Sequence, residues 1–525
     1  MGELKTLNLN NNIYSLNVPT GTGKTLTVLS FSLKLREKIR KEINFTPKII
    51  YSLPFLSIID QNFKVFEEVF EKVQGKTPTT DILLKHHHLS DIFYETEEKS
   101  DYETPESLLL IEGWNAEIIV TTFIQLFHTL ISNKNRSLRK CHNIINSIVI
   151  LDEVQSIPHE YWLLFKEVIS LFSKCFNTYF VFVTATQPLI FDESKNEIVE
   201  LVKNKKTYFD RFDRIELIPN IEPMILDDFE EIVKKDVEAN NSKNFLIVLN
   251  TINSSKNVYQ YLKSLKIPDT KLYYLSTNIT PYQRLERINE IKDNKDRKII
   301  VSTQLIEAGV DIDVDIVYRD FSPMDSINQV SGRCNRNYTD GKKGLVKLFI
   351  LKDENKEFYR YIYSPFLIDK TRDVLKEAPE RISENYFLTL SNNYFKKIKD
   401  SGSDDESDSI LSFVKKLEFE QLCKNFKLIQ DDYYKIDVYI ELDYFAKAVW
   451  NQYKAIRELK NPLDRKNEFL KIKKDFYEYV ISIPKNKAPN PENETGIAYI
   501  SIEELKDRYD TEIGFIPGSG GTLLF

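Results

Sequence analysis

The string VPTGTGKT (18–25) holds the residue types that bind a polyphosphate: glycines at Gly21 and Gly23, a lysine at Lys24 and a hydroxyl at Thr25. Glycine lets main-chain N–H groups turn inward, a following helix N-terminus adds positive potential, lysine reaches the outer phosphates, and the hydroxyl can ligate Mg²⁺. The loop departs from the strict G-x-x-x-x-G-K-[ST] pattern, because Val18 stands where the first glycine would be. It is the P-T-G-x-G-K-T variant, with Thr20 and Thr22 completing the cradle. Such a loop requires a metal-anchoring acid on a neighbouring strand, and SIVILDEVQ (147–155) ends an apolar run on Asp152 and Glu153. Asp152 is expected to hold Mg²⁺ through water, and Glu153 to orient and deprotonate the water that attacks a γ-phosphate. Further along, NQVSGRCNR (328–336) places Arg333 and Arg336 three residues apart, which on a helix gives them one face. In a second domain across a cleft they would neutralise transition-state charge as arginine fingers; alone, they read as an ordinary basic helix face.

These groups need a scaffold that presents strand ends to helix starts. Through the first two-thirds of the chain, short β-branched runs alternate with longer amphipathic stretches, the pattern of parallel sheets covered by helices. One set of expected strands is 13–18, 49–53, 117–122, 147–152 and 179–186; a second is 245–250, 272–275, 298–303, 315–318 and 345–350. A helix is expected over 26–40, directly after the phosphate loop. The polar zone 203–244 is read as the junction between two α/β domains, 1–215 and 216–355. The strand rhythm stops near residue 355. A helical linker region is expected over 356–430, with the acidic stretch DSGSDDESDS (400–409) as a solvated loop, and a mainly helical accessory domain over 431–525.

Composition agrees with a multi-domain soluble chain. The 525 residues exceed one ordinary core, and 42% hydrophobic with 29% charged residues excludes disorder over most of the length. Seventy-nine acidic against 72 basic residues leave a net charge of −7. That excludes holding nucleic acid by bulk charge, though not a local groove built from N–H groups and hydroxyls. Four separated cysteines form neither a metal knuckle nor a disulfide framework, so a reducing cytoplasm is expected. With no long apolar run, no membrane association is expected. The opening MGELKT fits a myristoylation pattern short enough to arise by chance. His86, His87 and His88 point in different directions on any regular backbone, so a polar loop rather than a metal site is expected there.

In order, Gly21–Thr25, DEVQ (152–155), Thr184-Ala-Thr186, STQ (302–304) with EAGVD (307–311), and QVSGRCNR (329–336) resemble motifs I, II, III, V and VI of superfamily-two helicases. Within it, NVPTGTGKTL (17–26), SLPFLSIIDQ (52–61), QLIEAGVDID (304–313) and SPMDSINQ (322–329) are similar to the CRISPR-associated helicase of type I interference systems. The likeness covers about residues 13–350, with weaker agreement at 509–514. It implies two tandem RecA-like domains with ATP and Mg²⁺ bound between them, and a 3′ to 5′ translocase on single-stranded DNA recruited by a guide-RNA surveillance complex of the Cascade kind. It further implies nucleotide contacts from Gly309 and Asp311, a catalytic role for Gln329 beside Lys24, Asp152, Glu153, Arg333 and Arg336, contacts of Thr121, Thr122 and Thr303 with the nucleic-acid backbone, and coupling through Thr184 and Thr186. Members usually carry an N-terminal HD nuclease. Only 17 residues precede Val18 and no His-Asp dipeptide occurs, so no nuclease activity is expected in this chain, which is read either as a truncated product or as one partnered by a separate HD nuclease. An adenine-reading glutamine motif is not evident. An RNA helicase, or a nucleotide-binding fragment without turnover, are the competing readings.

Overall fold

Strands that are apolar on both faces must be covered on both faces, and the segments IIYSL, IIVTT and IVILD are buried at every position. The computed structural model describes residues 8–90, 93–99, 102–307, 309–338, 341–428, 435–492 and 495–517. It resolves into two units, residues 1–213 with 384–430, and residues 214–383 with 431–525.

In the first unit, β1 (Ile13–Asn17), β2 (Ile49–Leu53), β3 (Leu83–His86), β4 (Ile118–Thr122), β5 (Ile148–Asp152), β6 (Tyr179–Thr184) and β7 (Val199–Glu200) form one parallel sheet in the order β3-β4-β2-β5-β6-β1-β7. The helix expected over 26–40 runs Lys24–Ile43, so Lys24 and Thr25 are its first two residues. Gly23, at φ 75°, makes the left-handed turn into it, a conformation any side chain would strain. One face of the sheet packs Tyr14, Leu16, Tyr51, Leu53, Ile150 and Val181 against Val28, Leu29, Leu35 and Phe66 of its covering helices.

Two local expectations are corrected here. The histidine cluster is a loop only in part, since His86 ends β3 while His87 and His88 lie in the turn after it, His88 exposed. Pairing of β3 with β4 draws His86 in, where its Nδ1 accepts from Trp114 Nε1 at 2.9 Å, and His87 is buried as well. The acidic stretch is only in part a loop, because a helix begins at Asp405 and runs to Lys415 with three acids in its first turn, where they favour the positive end of the helix dipole. Ser407 is fully buried on that helix, donating to the Glu160 carbonyl at 2.5 Å and accepting from Leu164 N at 3.2 Å. Phe426 then sits against Tyr161 and Phe165. Residues 384–428 thus fold back as a helical layer of the first unit.

The second unit repeats the plan. Its sheet runs β10 (Thr270–Leu275), β11 (Arg297–Ser302), β9 (Phe245–Val248), β12 (Ile316–Asp320), β13 (Gly344–Lys352), β8 (Ile215–Ile225) and β14 (Ile382–Ser383), all parallel except β14. β8 lies in the zone read as a junction. Pro219 and Pro223 argue against an interior strand, and the sheet accommodates them because β14 covers only Glu216 and Leu217.

The C-terminal region contains, besides its helices, a sheet the sequence reading did not anticipate: β15 (Lys435–Ile440) between antiparallel β16 (Val480–Pro484) and parallel β17 (Ala498–Ile500). The helices Tyr444–Glu458 and Pro462–Glu478 cover it through an aromatic cluster in which Trp450 stacks on Tyr499 at 4.6 Å. A small hairpin, Tyr509–Asp510 with Gly514–Phe515, docks beside β10. Phe515 N donates to the Asn278 carbonyl at 3.0 Å, and Arg287 bridges the carbonyls of Tyr274 and Glu512. No helix among the described residues is long and apolar enough to cross a membrane.

Candidate active site

The phosphate loop leaves β1 at the C-terminal edge of the first sheet, and β5 brings Asp152 and Glu153 to the same edge with β6 between them. Lys24 Nζ stands 3.4 Å from Glu153 Oε1. Glu153 is held in the left-handed region at φ 57°, and its N–H donates to Asp152 Oδ1 and to the Val183 carbonyl, each at 3.0 Å. That turn aims Glu153 away from the strand end and toward the lysine.

From Glu153 a relay of side chains runs into β6. Gln155 Nε2 donates to Glu153 Oε2, and Gln155 Oε1 accepts from Thr184 Oγ1 at 2.6 Å. Thr184 Oγ1 in turn accepts from Thr186 N at 2.8 Å. Thr184 and the Thr186 main chain are thereby joined, within one unit, to the acid facing Lys24.

Asp152 is buried, and Tyr51 of β2 donates its hydroxyl to Asp152 Oδ2. Burial first, and then the Glu153 charge, push the Asp152 carboxyl up to about 6. Burial and the Asp152 carboxylate push the Tyr51 phenol up as well. Thr25 Oγ1 donates to Asn62 Oδ1 at 3.1 Å, from the helix Leu56–Gln74. Sequence reasoning missed Tyr51 and Asn62. The only signal was their place at the two ends of the strand-to-helix segment YSLPFLSIIDQN (51–62). A divalent cation fits this donor set, because one buried carboxylate crowded by a second and one hydroxyl leave most positions to water and phosphate oxygens, as Mg²⁺ prefers.

The loop residues Thr20, Gly21, Thr22 and Gly23 wrap the start of the helix, with Gly21 at φ 83° and Thr22 Oγ1 donating to the Pro19 carbonyl at 2.8 Å. Two of the threonines expected to contact nucleic acid have their hydroxyls partnered within the first unit. Thr121 is fully buried with its hydroxyl donated to the His86 carbonyl at 2.8 Å, and the Thr122 hydroxyl caps the next helix by accepting from Gln125 N at 3.1 Å. The Thr121 hydroxyl is thus tied to the neighbouring strand β3, while Thr122, at a strand-to-helix junction, meets a free helix N–H. Thr303 is buried too, its N–H donating to Leu275.

The second unit carries Gly309 (φ 77°), Asp311, Gln329, Arg333 and Arg336. The arginines do not share a helix face, since the helix Met324–Ser331 ends before them. A bridge between Val314 and Cys334 pulls the chain off the helical path, and Asn335 turns it at φ 46°. Arg333 donates to the carbonyls of Ile306 at 3.4 Å and Glu307 at 2.9 Å, while Arg336 Nε pairs with Asp311 at 3.2 Å. Gln329 is half-buried on the last turn of that helix.

A phosphate loop with an Asp-Glu-Val-Gln strand end in one parallel α/β unit, followed by a second such unit carrying paired arginines, defines a superfamily-two helicase core. The family model for the DEAD/DEAH box helicase matches residues 5–193, and that for the CRISPR-associated nuclease/helicase Cas3, C-terminal, matches residues 241–339. The chain is 27% identical over 441 residues to the CRISPR-associated nuclease/helicase Cas3 of Haloferax volcanii, covering 66% of this chain and 47% of the relative. It is 24% identical over 489 residues to a putative Cas3 of Methanocaldococcus jannaschii, covering 85% and 62%. The fold matches the crystal structure of T. fusca Cas3 with a TM-score of 0.68 at 14% identity, over 97% of this chain and 69% of that one. The chain is thus similar to Cas3 helicases in both of its α/β units. It spans about half the length of the Haloferax relative.

Proposed function

We propose that the chain is an ATP-driven translocase that moves 3′ to 5′ on single-stranded DNA and unwinds target DNA in type I CRISPR interference. The observation that carries the reading is the continuous path from Lys24 through Glu153 and Gln155 to Thr184 and Thr186, which links a phosphate-gripping lysine to the segment expected to sense the strand. Nucleotide binding displaces the Glu153 carboxylate from Lys24 in favour of phosphate oxygens. The freed carboxylate then takes the proton of the attacking water, oriented by Gln155. Asp152 and Thr25 are the residues that would hold Mg²⁺, which would supply neutralisation of phosphate charge when bound. Gly309 and Asp311 complete the nucleotide contacts. Arg333 and Arg336 are the groups assigned to transition-state charge on the γ-phosphate, with Gln329 ordering the water.

Support for the partners is by likeness of fold: a structure titled "CRISPR RNA-guided surveillance complex, pre-nicking" matches with a TM-score of 0.60, and "T. fusca Cas3-ATP" with 0.66. In this reading a guide-RNA complex recruits the chain. The test is ATP hydrolysis with and without single-stranded DNA. Stimulation lost in Lys24→Ala and Asp152→Ala is the expected result; no stimulation by any polynucleotide refutes the motor, and preference for a matched RNA oligonucleotide refutes the DNA track.

A further inference from the structure

Arg319 lies in the middle strand of the second sheet and is completely buried. A guanidinium there is expensive unless its donors are met, and its partners come from four separate segments. Nη1 donates to Asn250 Oδ1 at 2.7 Å; Nη2 reaches Glu307 Oε1 at 2.6 Å, Ser326 Oγ at 2.9 Å and the Tyr363 hydroxyl at 2.8 Å. Ser326 Oγ also donates to Glu307 Oε1 at 2.7 Å, and Gln304 Nε2 to the Asn250 carbonyl at 2.9 Å. Glu307 therefore meets two arginines, its carboxylate on Arg319 and its carbonyl on Arg333 Nη2 at 2.9 Å.

We propose that Arg319 is a positioning residue for hydrolysis: it fixes the 304–307 segment, and through the main chain of that segment it sets where Arg333 stands. Stability alone does not account for it, because well-packed apolar side chains of similar volume serve a core at least as well as a buried ion pair. What the pair adds is a single register among the turn after β9, the 304–307 segment and the helix Met324–Ser331, the elements on which Arg333 depends. The inference rests on the reading of Arg333 as a group acting on the γ-phosphate.

The experiment compares full-length Arg319→Lys, the double variant Arg319→Met with Glu307→Leu, Arg333→Ala, and Arg319→Lys combined with Arg333→Ala. Each is followed by melting temperature and by kcat and KM for ATP with single-stranded DNA. The double Met/Leu variant removes both charges together, and its melting temperature reads the cost of leaving Asn250 Oδ1, Ser326 Oγ and the Tyr363 hydroxyl without those partners. Its kcat, and that of Arg319→Lys, should fall roughly 10- to 100-fold, with KM for ATP within about twofold because Lys24 and its loop are intact. If Arg319 acts through Arg333, Arg319→Lys adds no further loss in the Arg333→Ala background. Parental kcat in either position-319 variant, or full additivity with Arg333→Ala, overturns the proposal; should the double variant fail to fold, Arg319→Lys decides alone. Parental kcat in Arg333→Ala overturns instead the reading of Arg333 on which it rests.

Discussion

Thr184→Val and Gln155→Ala cut the same relay at adjacent links, and the structure predicts opposite rankings for them in stability and in rate. Thr184 is fully buried, and its hydroxyl is the acceptor for Thr186 N as well as the donor to Gln155 Oε1. Valine keeps the shape but orphans the Thr186 N–H, which costs about 1–3 kcal/mol, and removes a donor from Gln155, roughly 1 kcal/mol more. In Gln155→Ala the Thr184 proton turns to the Thr186 carbonyl, an acceptor already at 2.9 Å. No group is orphaned, and the loss is about 1 kcal/mol. At roughly 2–4 °C per kcal/mol for a unit of this size, Thr184→Val should lower the first melting transition by several degrees more than Gln155→Ala. Basal ATP hydrolysis without nucleic acid should rank the other way. Gln155→Ala strips Glu153 of its orienting partner and should slow turnover by roughly 10-fold, part of what a general base contributes, whereas Thr184→Val leaves the Gln155–Glu153 bond in place. Differential scanning calorimetry and a coupled ATPase assay measure both. Equal or inverted melting shifts, or a parental basal rate in Gln155→Ala, refute the relay as described.

Tyr51→Phe removes the hydroxyl that braces Asp152 and should raise the Mg²⁺ concentration for half-maximal hydrolysis by roughly 10-fold, which a metal titration reads. Lys140 is buried, donating to Gln125 Oε1 at 2.7 Å, and burial together with the Arg136 charge holds its pKa down at about 8. A depressed lysine penalises the fold below pH 8, and the penalty fades as pH rises from 8 to the ordinary value of 10.5. Lys140→Met should therefore stabilise the first unit by about 1–2 kcal/mol at pH 7, with the gain gone near pH 10.5 in urea titrations. Gly514 has φ 77°, and a Cβ there would lie 2.2 Å from the Asn278 carbonyl oxygen. Gly514→Ala should release the hairpin at 509–515 by more than the roughly 1–2 kcal/mol of the left-handed conformation alone, seen as faster proteolytic trimming of the C-terminus.

The sequence by itself determined the parallel α/β architecture and most strands of both sheets, because a strand buried on both faces must be an unbroken apolar run and a loop that holds phosphate must carry its glycines and lysine in series. It also determined which acids end a strand. Where the sequence reading failed, the deciding contacts were distant. β8 carries two prolines and became a strand because β14 covers only its start; Ser407 sits in an acidic run and is buried because residues 384–428 return to the first unit; the helix before Arg333 stops because Val314 bridges Cys334. Tertiary structure alone decided that Thr121 and Thr122 spend their hydroxyls inward, that Tyr51 and Asn62 brace Asp152 and Thr25, and that Arg319, indistinguishable in the string YRDFSP from a strand-end charge, lies buried on Glu307. Periodicity reports which face of an element is apolar; it cannot report which polar group, far away in the chain, will be brought within 3 Å of another, since that is fixed only when the sheet order is.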